Sequence, residues 1–192
     1  MTPTTPSKRP SREDKPIVRV KISLQGTDPE VWRRVEVPST ATLKQFHAII
    51  QAAMGWDDDH LYRFERGRAS LSSGRRLTEL VAARVKIITY IYDFGDEWRH
   101  HIEIEAAVPA AADATYPRLI EGAGQCPPED VGGAWGYYES LKALADPRHE
   151  NHELMLDWYG EETFDPAAFD RTPIDRELRR VAGYLARSGR KP

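Results

Sequence analysis

Two stretches near the start of the chain alternate apolar and polar side chains so regularly that a half-buried β-strand is the natural conformation for each. Val18, Val20, Ile22 and Leu24 alternate with Arg19, Lys21 and Ser23, and Val31, Arg33, Val35 and Val37 alternate with Trp32, Arg34 and Glu36. Successive strand side chains point to opposite faces, so each run offers one face to a core and one to water. Gly26-Thr27-Asp28-Pro29 between them has loop composition, and the two runs are predicted to pair as a hairpin that Pro38 ends.

The period then changes. Leu43, Phe46, His47, Ile50 and Met54 recur at helical spacing, and Ala48, Ile49, Ala52 and Ala53 widen the apolar side. Thr40 or Thr42 is placed to cap this helix, and Gly55 to stop it. A short strand follows at 61–65, a polar loop at 67–76 and a helical turn at 77–83. The β-branched and aromatic run 85–92 is predicted to be a strand. It turns at Phe94-Gly95-Asp96 into a partner in which Trp98, His100, Ile102 and Ile104 alternate with polar residues. An Ala-rich loop is expected at 106–113, an irregular Gly/Pro-rich segment at 116–136, and helices at 137–145, 149–159 and 173–188. The expected class is α+β. A hairpin followed by one packed helix gives the element order of a β-grasp (ubiquitin-like) mixed sheet of about five strands, with a helical C-terminal part after it.

A chain of 192 residues, 40% hydrophobic and 30% charged, can bury the core of one domain. The expected organisation is a disordered arm at 1–16, a domain at 17–170 and a basic helix or tail at 171–192. Within the domain, the sheet and helix occupy 17–106 and loops and helices 107–170. No apolar run approaches the ~20 residues that span a bilayer, which excludes a membrane helix. The polar, Pro-containing N-terminus is not read as a secretion signal, and with Cys126 as the lone cysteine the expected location is cytoplasmic. Charge is segregated. Residues 121–170 hold twelve Asp and Glu against Lys142 and Arg148. Such a block repels phosphate backbones and leaves nucleic acid only the two basic ends of the chain, with Arg176, Arg179, Arg180 and Arg187 as the named contacts.

Three blocks carry a resemblance to a known family. The first holds Val31-Trp32-Arg33-Arg34, Val37-Pro38, Leu43, His47, Ile50-Gln51-Ala52-Ala53-Met54-Gly55-Trp56, Asp57-Asp58 and His60-Leu61. The second is Tyr92-Asp93-Phe94-Gly95-Asp96 with Trp98, His100 and Ile102. The third runs from Tyr116-Pro117-Arg118 through Cys126-Pro127-Pro128-Glu129-Asp130 and Gly132-Gly133 to Gly136-Tyr137, ending in Phe164-Asp165-Pro166 and Phe169-Asp170. In this order they resemble the plasmid pRiA4b ORF-3-like family. The resemblance implies a passenger of plasmids and transposons, with a resolvase-like (TnpR-like) label and no established reaction.

The residues leave three functional classes open. A binding or interaction module would use an edge built from Trp56, Asp93, Phe94, Asp96, Trp98, Glu129, Asp130, Trp135 and Tyr137. Its partner would be a protein or a small ligand, with no membrane contact. A metal-dependent hydrolase or nuclease would use a divalent ion on His47, His60 and His100 with Asp57 and Asp58, since imidazole and carboxylate suit zinc, manganese or iron. The module reading needs no cofactor. An accessory of recombination would touch DNA through the basic ends. Asp93-Phe94-Gly95 spells a kinase tripeptide, but the glycine-rich loop, strand lysine and catalytic loop that kinase chemistry needs are absent from the sequence, so a turn is expected. Cys126 between glycines and prolines reads as part of a rigid loop rather than as a nucleophile.

Overall fold

The computed structural model describes residues 16–160 and 164–188. The arm expected at 1–16 lies outside the described residues except for Pro16, as do Arg190 and Lys191 of the basic end. The elements are β1 (Ile17–Leu24), β2 (Trp32–Pro38), α1 (Leu43–Met54), β3 (Tyr62–Arg66), β4 (Ala69–Leu71), α2 (Leu77–Ala82), β5 (Ile87–Tyr92), β6 (Trp98–Val108), β7 (Arg118–Ala123), α3 (Gly133–Ala145), α4 (His152–Tyr159) and α5 (Arg171–Ser188). The α+β class holds, with one sheet and five helices among the described residues.

The sheet is larger than expected. It has seven strands in the order β4-β3-β5-β6-β1-β2-β7 rather than about five. Every neighbouring pair is antiparallel, so it is not mixed. The additional strands lie at the two edges. β4 forms inside the expected polar loop, and β7 inside the expected irregular segment. β6 also continues into the expected Ala-rich loop as far as Val108, because β1 runs alongside it and pairs Ile17 with Val108.

The β1–β2 hairpin has the alternation the sequence dictates. Val18, Val20, Ile22 and Leu24 are buried, and Val20 sits opposite Val35. The outer face carries an ion-pair ladder in place of a second core. Glu36 lies between Arg19 at 2.6 Å and Arg118 at 2.7 Å. Arg34 meets Glu105 at 2.8 Å and also pairs with Glu121. The Trp32 ring takes the cations of Lys21 and Arg34 at 5.0 and 5.3 Å. A sheet with one packed face and one polar face is the usual antiparallel solution.

Helix α1 covers the packed face. Thr42 accepts from the Gln45 N–H and Gln45 reaches back to the Thr42 N–H, a reciprocal capping box. Gly55 closes the helix at φ 86°, in the left-handed region that glycine enters without steric cost. Helix α5 packs against α1 and β7 through Ile174, Leu178 and Ala182.

Arg33 faces this core although it is charged. It is 2% exposed, and its guanidinium donates to the carbonyls of Ala53, Trp32, Ala123 and Gly124 at 2.7–3.0 Å. Phe169 covers it at 4.9 Å. A planar fork of donors is what joins the end of α1 to the end of β7.

Candidate binding site at the aromatic end of the sheet

Strand register brings aromatic side chains together on the packed face. Phe64 and Tyr62 on β3 lie opposite Tyr90 and Tyr92 on β5, which lie opposite His100 and Trp98 on β6. α1 adds Phe46 and His47, and the turn after it adds Trp56. Trp56 stacks on Tyr92 at 5.2 Å and meets His100 edge-on at 5.3 Å. The resulting wall is rigid because each ring fills space left by its neighbours.

Three polypeptide segments converge where this wall reaches the surface. The Trp56 indole donates to the Pro127 carbonyl at 2.8 Å, which holds the Pro127-Pro128 loop against the end of α1. Glu129 is thereby placed to accept from the Asp57 N–H at 2.7 Å and the Tyr92 hydroxyl at 2.5 Å. The β5–β6 turn follows the same logic. Asp93 accepts from the Gly95 N–H through Oδ1 at 2.8 Å, while its own N–H reaches Leu61 at 2.9 Å. Asp96 Oδ2 accepts from the Gly132 N–H at 3.0 Å. Gly133 passes so close that a Cβ there would stand 2.2 Å from the Asp96 carbonyl oxygen. This contact starts α3 four residues before the expected 137, with glycines that read as loop.

Backbone strain gathers here. Among the described residues, the positive-φ residues other than glycine are Asp58, Arg84, Asp93, Glu97 and Asp130, and all but Arg84 belong to these segments. Such conformations cost about 1–3 kcal/mol each and persist where the surroundings enforce them.

The expected metal set does not converge on one point. His47 contacts Asp58 at 2.5 Å through Nε2 and Tyr90 at 2.7 Å through Nδ1, and stacks on Tyr62. Burial lowers its pKa, and the Asp58 carboxylate opposes that only in part. His100 lies inside the wall with no exposed surface. Burial pushes it down to about 3 against weak support from the Trp98 and Tyr90 backbone, so it stays neutral. Asp57 contributes its backbone N–H. His60 is separate from both other histidines. Its Nε2 is 3.1 Å from Asp130 and its Nδ1 3.8 Å from Asp93. Among the described residues this trio is the one group of three possible metal-ligating side chains whose donor atoms all lie within 4.8 Å of one another.

Part of the expected surface is also redistributed. Trp56, Trp98 and Tyr137 are 7%, 2% and 1% exposed, because their rings are needed inside. Of the exposed apolar groups, Phe94, Trp135 and Leu61 belong to these segments and Trp158 contacts one of them. Trp158 was not expected at this edge. Its indole donates to the Glu129 carbonyl at 3.2 Å, a contact between residues far apart in sequence that local pattern does not reveal. Phe94 already holds a cation, the Arg63 guanidinium at 4.9 Å. Asp93 and Asp96 flank Phe94 in the β5–β6 turn, and Asp130 follows Glu129, whose carbonyl Trp158 contacts.

Two chemistries find little support here. Asp58, His47 and Tyr90 form a carboxylate–imidazole–phenol chain, but Tyr90 is fully buried and burial holds its hydroxyl far above its usual pKa. A nucleophile needs a lowered pKa and access to substrate. Burial likewise pushes the Cys126 thiol up to about 12, although Arg33 pulls the other way.

A seven-stranded antiparallel sheet with five helices among the described residues places the chain among α+β domains. Residues 16–173 match the family described as plasmid pRiA4b ORF-3-like protein, and the chain belongs to that family. It is 41% identical over 190 aligned positions to "Uncharacterized protein y4hQ" of Sinorhizobium fredii (strain NBRC 101917 / NGR234), an alignment covering 91% of this chain and 97% of that protein. Its fold is similar to the crystal structure of a protein of unknown function, MM3350 from Methanosarcina mazei Go1. That match has a TM-score of 0.75 and 32% identity, and covers 85% of this chain and 98% of the other.

Proposed function

We propose that the chain is a cytoplasmic binding module of mobile-element origin that takes a basic protein segment at the aromatic end of its sheet. One observation carries this reading. Phe94, Trp135, Leu61 and Trp158 are 49%, 76%, 72% and 49% exposed on segments that are hydrogen-bonded to one another and that carry or contact Asp93, Asp96, Glu129 and Asp130. Exposed rings beside carboxylates suit an arginine or lysine side chain, whose apolar stem and charged head each find a match. The Arg63–Phe94 pair is an internal instance of that contact. The segments that carry these groups are tied to one another through Glu129, Asp96 and Trp56, which favours a preformed surface.

The basic end is weaker ground for a DNA-binding role. Within α5, Arg176 and Arg180 both contact Glu177, and Arg171 contacts Asp175. No helix among the described residues is long and apolar enough to cross a membrane. We read the β1–β2 hairpin with α1 as a β-grasp-type opening to which further antiparallel strands are added.

The test is fluorescence polarisation of the full chain with labelled arginine-rich, lysine-rich, acidic and neutral peptides. The expected result is saturable binding of the basic peptides, weakened at least ~10-fold by a Trp135→Ala/Trp158→Ala variant, as for loss of anchoring rings at an interface. Equal binding of acidic peptides, or no effect of the double variant, contradicts the reading.

A further inference from the structure

We infer that His60, Asp93 and Asp130 form a divalent-cation site, independent of any peptide bound at the same end. Three residues from three segments bring an imidazole and two carboxylates together, with all three donor atoms within 4.8 Å of one another. Two of the three ligands are preorganised. Asp93 commits Oδ1 to the Gly95 N–H at 2.8 Å, which leaves Oδ2 directed at the His60 ring, 3.8 Å from Nδ1. The His60 backbone N–H is tied to the Tyr92 hydroxyl at 3.3 Å, and its ring stands edge-on to Tyr92 at 5.7 Å.

A second observation points to a ligand. His60 Nε2 is shielded from solvent and has no aligned hydrogen-bond partner, although the Asp130 oxygen is 3.1 Å away. A buried ring nitrogen without a hydrogen bond is costly; a cation held by Nε2 and the Asp130 carboxylate satisfies both, and Asp93, whose Oδ2 faces the Nδ1 side of the ring, joins them by a turn of the imidazole. Two ligands of one tetrahedral zinc lie about 3.4 Å apart, given metal–ligand bonds of about 2.0–2.2 Å. Asp130 is 57% exposed, so its side chain is free to rotate and close the remaining gap. One nitrogen and two oxygens suit zinc, manganese or ferrous iron better than calcium, which prefers an all-oxygen cage. Three protein ligands leave at least one position for water or for an oxygen of a bound partner.

The alternative is that His60 bridges the two aspartates as an ion pair and binds no metal. Isothermal titration of the metal-stripped full chain with Mn2+ alone, and separately with Zn2+ alone, decides between them. One-to-one binding is expected. His60→Ala and Asp130→Asn should each weaken it at least ~10-fold, in the range known for disturbed metal sites. Glu103→Gln, midway along β6 and paired with Lys21 and Ile87 rather than with the site, should leave it unchanged. Circular dichroism establishes that each variant is folded. Absence of saturable binding in the folded wild type, affinity retained in His60→Ala, or equal weakening by Glu103→Gln overturns the assignment.

Discussion

The Tyr92 hydroxyl donates to Glu129 Oε1 at 2.5 Å, and this bond joins the end of the central sheet to the loop that precedes α3. Burial and the Glu129 carboxylate both raise the Tyr92 pKa, so the phenol keeps its proton and remains the donor. Glu129 uses its second oxygen on the Asp57 N–H. One carboxylate therefore holds all three segments of the site.

Glu129→Ala should cost about 1–3 kcal/mol, because it strands a part-buried hydroxyl and a backbone N–H. Tyr92→Phe should cost less, since it leaves Glu129 bonded to Asp57. A double-mutant cycle measured by urea unfolding should show a coupling of at least ~0.5 kcal/mol between the two positions. Additive losses would mean that the two groups do not act together.

Arg33→Lys should be severe for a substitution that preserves charge. An ammonium cannot reproduce four donor contacts arranged by a planar guanidinium, so several buried carbonyls lose their partner. A loss of about 2–5 kcal/mol is expected in urea unfolding. A change below ~0.5 kcal/mol would show that the fork is dispensable.

Stability should fall as the solution is acidified below neutrality. His100 has a folded pKa of about 3 against an ordinary value of 6.5. Between those values the unfolded chain binds a proton that the folded chain refuses, and the slope is about 1.4 kcal/mol per pH unit. The contribution is fully present above pH 6.5 and is lost as pH falls towards 3. His47 is also depressed, so it acts in the same direction. The measurement is urea unfolding at several pH values. A folded His100→Leu variant should show a shallower dependence between pH 6.5 and 5 than the wild type, and an identical dependence would contradict the burial argument.

Gly133→Ala should displace α3 from the β5–β6 turn. The new methyl meets the Asp96 carbonyl oxygen, and the residue sits at φ 65°. A loss of about 1–3 kcal/mol is expected, with weaker binding at the aromatic end. Gly160→Ala has a similar φ of 67° and no neighbour within 4 Å among the described residues, so it serves as the comparison for the cost of φ.

Much of the fold was legible because its signals are local. Period-two alternation placed β1, β2 and β6, and it placed Arg33 on the inward face before any contact was known. Thr40 or Thr42, and Gly55, marked the ends of α1, and Thr42 is the residue that caps it. The two edge strands lacked such signals. Ala69-Ser70-Leu71 is too short to alternate, and the 118–123 run becomes a strand because β2 offers it an edge to pair with. The site was legible in its residue types but not in its grouping. Asp93, Asp96, Glu129 and Asp130 were placed at one edge, whereas His60 was grouped with two histidines that the strand register and the helix bury elsewhere. The pairing of His60 with Asp130 depends on how the Pro127-Pro128 loop docks on Trp56, a tertiary contact with no local signature.

The most direct test of the binding face is backbone amide NMR of the full chain during titration with an arginine-rich peptide. The account predicts shift changes concentrated at Leu61, Phe94, Asp96, Asp130, Trp135 and Trp158, with α5 unaffected. Changes confined to α5, or none at a peptide concentration that saturates polarisation, would contradict it.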